Sequence, residues 1–136
     1  LLTICPDTSV EGIAADRVVE GLLSEAAAKR AREPMPWMVL HHEPPDGTPI
    51  CCGAEGNRSL ADAVTRHQPD LVVTAHIHES PFRKDRGGRW HAWIGSTLLV
   101  NSGQMPDRPW PCHFRIADND ITWRALGQPR ETVPIR

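Results

Sequence analysis

The chain contains no apolar run long enough to span a bilayer, and no basic start followed by an apolar core reads as a secretory leader. A membrane partner is therefore not expected. It also lacks a basic stripe. Fifteen Lys and Arg stand against 17 Asp and Glu for a formal charge of −2, and only Lys29 and Lys84 are lysine. Clusters such as Lys29-Arg30-Ala31-Arg32 and Arg83-Lys84-Asp85-Arg86 read as solvated faces, so no nucleic-acid patch is expected. The four cysteines (Cys5, Cys51, Cys52 and Cys112) show no two-residue spacing, and neighbours such as Cys51-Cys52 rarely bridge each other. A reduced, cytoplasmic setting follows as the expectation. No G-x-S-x-G elbow surrounds Ser96 or Ser102, which argues against a serine hydrolase. Cys112-His113 and His91 read as a strand residue and two surface histidines rather than a thiolate–imidazole site.

No internal repeat or linker divides the 136 residues, a length that suits one domain burying about 70% of its unfolded surface. Leu1 to Cys5 reads as a strand closed by Pro6, and a chain opening in mid-strand is expected to be a piece of a longer one. Ile13 to Arg32 has helical periodicity, with Val18, Val19, Leu22, Leu23 and Ala26 on one face and Pro34 closing the segment. Trp37 to Leu40 is a short apolar run suited to a central strand, and Glu43 to Gly56, rich in Pro and Gly, reads as a loop. Ser59 and Asp62 resemble a capping box opening a helix from Leu60 to His67, and Leu71 to Thr74 reads as the next strand. This strand–helix–strand order predicts a parallel pair buried on both faces, with ligands gathering beyond the carboxyl ends.

After Gly87-Gly88 the pattern changes. Trp90–Ile94, Thr97–Val100, His113–Ala117 and Ile121–Ala125 read as strands joined by tight turns, an antiparallel ribbon finishing the sheet. Residues 1–127 are thus expected to form the structured portion, and the tail 128–136 to be loosely held. The five tryptophans (Trp37, Trp90, Trp93, Trp110 and Trp123) read mostly as core or rim packing, with lining of a substrate mouth as the alternative for Trp90 and Trp110.

Two histidine clusters carry the chemistry. Each follows a strand-like run: Leu40-His41-His42-Glu43-Pro44-Pro45 and Ala75-His76-Ile77-His78. Neutral imidazole is the commonest side-chain metal ligand. Prolines after the first cluster stiffen the turn, so a ligand just before them holds its direction. In an extended segment, His76 and His78 would point to one side with Ile77 turned inward, which suits two ligands on one ion or one on each of two ions about 4 Å apart.

In order and spacing these clusters resemble the fourth and fifth elements of the calcineurin-like metallophosphoesterases, a histidine at a strand end before proline and then G-H-x-H. Alanine replaces the glycine of the latter, and Val100-Asn101-Ser102-Gly103 is similar to the strand ending in Asn-x-Gly that follows it in the family. The likeness covers most of the chain and corresponds to the C-terminal half of that family's domain. It implies an α/β fold, part of a two-sheet sandwich flanked by helices, and metal-dependent hydrolysis of phosphate esters. The cofactors would be two divalent ions (manganese, iron or zinc) activating a water between them. The ligands implied are His76, His78 and one of His41 and His42, with His42 preferred because His42-Glu43-Pro44 fits the family's H-x-P; catalysis would run through His76 and His78.

The family's D-x-H and G-D-x-x-D motifs do not occur in this sequence. Gly56-Asn57-Arg58-Ser59 begins like G-N-H-[D/E] but lacks the histidine and falls after the first cluster. Glu43, Asp46 and Glu79 lie nearby without occupying the family's carboxylate positions, and three neutral imidazoles do not offset two dications. Two expectations follow: a hydrolase completed by an N-terminal partner half, or a non-catalytic metal-binding remnant that associates with itself or a partner chain.

Overall fold

Four short apolar runs pair side by side. In the structure, a computed structural model describing residues 1–5, 13–105 and 112–135, they are β1 (Leu2–Ile4), β2 (Met38–Leu40), β3 (Leu71–Thr74) and β5 (Thr97–Asn101). All four run parallel, in the order β1-β2-β3-β5, and β4 (His91–Ile94) closes the far edge antiparallel to β5. The expected parallel pair is present as β2 and β3, in register from Met38↔Leu71 to Leu40↔Val73.

Alternation along the strands sends Val39, Val72 and Leu99 to one face, where they are buried against the two helices. The first helix, α1 (Ile13–Arg32), contributes Val19, Leu23 and Ala26, and α2 (Arg58–His67) contributes Leu60, Ala63 and Val64. The buried stripe of α1 is narrower than its sequence pattern: Val18 remains 47% exposed. Spacings of four and three residues keep Val19, Leu23 and Ala26 in one line, and Val18 lies about 100° around the helix from Val19. α2 starts earlier than the Ser59–Asp62 pattern predicts. Asn57 is its cap, its side chain accepting Leu60 N at 2.8 Å, and an Asn acceptor at that position satisfies one of the orphan amides of the first turn.

The other face of the sheet meets a separate three-stranded antiparallel sheet: β6 (His113–Ala117), β7 (Asp120–Arg124) and β8 (Glu131–Pro134). Leu71, Leu98 and Val100 are buried there with Ile121 and Trp123. The expected ribbon is therefore divided. β5 joins the parallel sheet, β4 edges it, and the last three strands pack across it. Asp118 and Asn119 take the positive φ values (53° and 64°) that a tight two-residue hairpin demands. The described part of the tail expected from Gln128 contains a strand, β8, rather than loose chain. Residues 131–134 pair with β7, Thr122 and Thr132 hydroxyls meet at 2.9 Å, and Ile135 N donates to Asn119 O at 2.6 Å.

Asp70 locks the start of β2 to β3 and α1. Its carboxylate accepts Trp37 N and Arg30 Nη2, both at 2.6 Å. Trp37 is 1% exposed and sends its indole N–H to Thr3 Oγ1 at 3.0 Å, which fixes β1 against β2 from inside the helix-covered layer.

Candidate metal-ligand site

Parallel strands end together, so β2, β3 and β5 deliver His42, His76 and Asn101 to one edge of the sheet. His41 N donates to Val73 O at 3.1 Å and Ala75 N to His42 O at 2.9 Å, which extends the β2–β3 ladder past the formal strands. The two histidines of the first cluster then part. His41 is buried, its Nδ1–H donating to Glu43 O at 2.8 Å. A carbonyl only accepts, so the proton sits on Nδ1. His42 is exposed, and its Nε2 lies 3.1 Å from His76 Nδ1, with ring centroids 4.9 Å apart in an edge arrangement.

The second cluster is not extended. His76 has φ +59°, and Ile77 N donates back to Ala75 O at 2.7 Å, closing a three-residue turn around the histidine. Such a turn at positive φ is rare and strained for a side-chain-bearing residue. Two-residue alternation therefore fails here. His76 turns toward His42, while His78 is exposed, shares no hydrogen bond or ring contact with the pair among the described residues, and its carbonyl accepts Gln104 N at 2.6 Å.

Asn101 holds the strained turn. It is fully buried, and its Nδ2 donates to Ala75 O at 2.9 Å and to Ile77 O at 3.0 Å, one on each side of His76. Its Oδ1 accepts Gly103 N at 3.0 Å. Gly103 must be glycine for two reasons: its φ is +68°, and a Cβ there would lie 2.7 Å from His78 O and 2.5 Å from the Pro81 ring. In the sequence Asn101 stands out only within the Val100-Asn101-Ser102-Gly103 resemblance, without a role of its own. The signal was its residue type, because Asn is disfavoured within a strand unless its side chain has specific work.

What the pair can do follows from its separation. Two nitrogens bound to one tetrahedral zinc at about 2.0–2.1 Å stand about 3.3 Å apart. At 3.1 Å, His42 Nε2 and His76 Nδ1 either share a proton or, with both lone pairs free, come close to sharing a cation. The donor set fits an ion in part. Among the described residues no group of three or more His, Cys, Asp or Glu side chains converges. The neighbouring carboxylates are engaged: Glu43 accepts Asn57 Nδ2 at 3.0 Å, Asp46 accepts Gly56 N at 3.0 Å, and Glu79 lies 3.7 Å from Arg83. The amide of Gly56, more than the nearby Arg58, holds the Asp46 carboxyl below its ordinary range.

The remaining sequence candidates do not join this site. Cys112 is buried, and burial pushes its thiol pKa up, away from thiolate character. Ser96 Oγ donates to Gln68 Oε1 at 3.0 Å. Trp90 is 3% exposed and stacks on Trp123 at 6.1 Å, while Trp110 lies outside the described residues. Among the described residues no helix is long and apolar enough to cross a membrane. Comparison with protein-family models, curated proteins and solved structures finds no match to this chain.

Proposed function

We propose that this chain carries ligands of a metal-dependent phosphate-ester hydrolase of the calcineurin-like kind, its two sheets and two helices forming a portion of that family's sandwich. The observation that carries the reading is the approach of His76 Nδ1 to within 3.1 Å of His42 Nε2 at the carboxyl end of two parallel strands. In this reading His42 and His76 hold one ion, and His78, on the same turn, is left for a second. Divalent ions supply charge neutralisation at phosphoryl oxygens and a lowered water pKa. The chain's own residues supply position: Asn101 and Gly103 fix the turn, His41 anchors the end of β2, and the pair offers its nitrogens to one side.

A non-catalytic metal-binding role is the second reading, favoured by the engagement of Glu43, Asp46 and Glu79 in protein contacts. Association with another copy or a partner half belongs to both readings, supported by Leu2 and Ile4 standing 55% and 66% exposed on edge strand β1. Metal analysis of purified protein with an aryl phosphate assay separates the two. Bound metal and turnover lost in His76→Ala supports the hydrolase; metal without turnover supports the second reading.

A further inference from the structure

Beyond the turn at 80–82 the chain forms a second recess, lined by Pro81, Lys84, Gly88, Arg89, His91 and Glu131 among others, which none of His42, His76 and His78 lines. Its volume of about 190 Å³ is room for about six water molecules. We propose that it binds a small oxyanion, a carboxylate or phosphate group, independently of the imidazole pair and of the hydrolase reading.

Charge and donor inventory carry the proposal. Neighbouring Arg83 shows a satisfied cation, its Nε and Nη2 each 3.0 Å from the Asp85 carboxylate. Lys84 and Arg89, by contrast, have no ion-pair partner among the described residues. The one lining carboxylate, Glu131, is already committed, its Oε2 accepting the indole N–H of buried Trp90 at 2.6 Å. His91 packs on that indole with ring centroids 4.4 Å apart. Its Nδ1 is buried without a hydrogen-bond partner among the described residues, and burial lowers its pKa so that the ring stays neutral. The lining therefore brings an ammonium, a guanidinium and an imidazole to one recess, beside a carboxylate with one oxygen bonded to the Trp90 indole.

The backbone beside the recess is closely packed. A Cβ at Gly88 would fall 2.3 Å from Ser80 O and 2.9 Å from Arg83 O, and Gly88 N donates to Arg83 O at 2.9 Å. Ser80 Oγ donates to Arg89 O at 2.9 Å, tying down the next residue. Lys84 and Arg89 are thus presented from a pinned backbone.

The test titrates chelator-treated, isotope-labelled full chain with inorganic phosphate and, separately, with acetate, at constant ionic strength. The proposal expects saturable shifts at the Trp90 indole N–H and the His91 ring, weakened about fivefold by Lys84→Ala or Arg89→Ala and unchanged by His42→Ala. Both anions or either one saturating supports it, and their relative affinity assigns the ligand to the phosphate or the carboxylate class. Shifts that never saturate, or that are confined to His42 and His76, overturn it. The amide spectra of the variants show whether any loss is a loss of fold.

Discussion

Replacing Asn101 by alanine tests how the strained histidine turn is held. The side chain is fully buried and makes three close hydrogen bonds, to Ala75 O at 2.9 Å, to Ile77 O at 3.0 Å and from Gly103 N at 3.0 Å. Each is worth about 1 kcal/mol net, and the groups left behind stay partly desolvated, so Asn101→Ala should cost about 3 kcal/mol. With a urea slope of about 1–3 kcal/mol per molar, the unfolding midpoint should fall by at least about 1 M. The site should respond as well, because the bonds lost flank His76. The nuclear Overhauser contact between the His42 and His76 rings should weaken or vanish under native conditions. A midpoint shift below about 0.3 M, with the ring contact retained, would refute the assignment of Asn101 as the residue that positions His76.

Three further outcomes follow from the same geometry. His76 sits at φ +59°, so His76→Gly should relieve backbone strain and stabilise the fold by about 0.5–1 kcal/mol while removing the ring pair; a clear destabilisation in the same urea assay would show that the pair outweighs the strain. Asp70→Ala removes a charge-assisted bond to Trp37 N and a half-exposed pair with Arg30, and should cost about 2–4 kcal/mol, mostly from the first; thermal melts check this, and a loss below about 1 kcal/mol contradicts it. Burial holds the His91 pKa below its ordinary 6.5, so the unfolded chain takes up the proton first and stability should decline as pH falls below about 6.5. His91→Gln should flatten that part of the stability profile, and an unchanged slope would place the titrating group elsewhere.

The parallel pair β2 and β3 and the extents of both helices are legible because apolar periodicity is a local property, although the cap of α2 is Asn57 rather than Ser59. Val39, Val72 and Leu99 show their burial in the sequence itself. The split of the last five strands was not legible, because β5 resembles its neighbours and only packing against β3 decides its sheet. β8 was missed for a similar reason. Residues 131–134 alternate weakly, and cross-strand contacts such as Thr122–Thr132 hold them in place. At the site, both histidine clusters lie just past strand ends, where His42 and His76 meet. The sequence pairs His76 with His78 on the assumption of extended backbone, whereas the positive φ at His76 joins it to His42 instead. Nothing local in Ala75-His76-Ile77 announces that turn. It is imposed by Asn101, 25 residues away from the histidine.

His42 and His76 act together as a ligand pair in the proposed site. The most direct measurement is a zinc titration of the purified chain, followed through the imidazole nitrogens by long-range proton–nitrogen correlation. His42 Nε2 and His76 Nδ1 should shift together and saturate together, and either His42→Ala or His76→Ala should abolish the shift at the remaining ring. No shift at either nitrogen, or a shift at His42 that survives His76→Ala, would contradict the paired site.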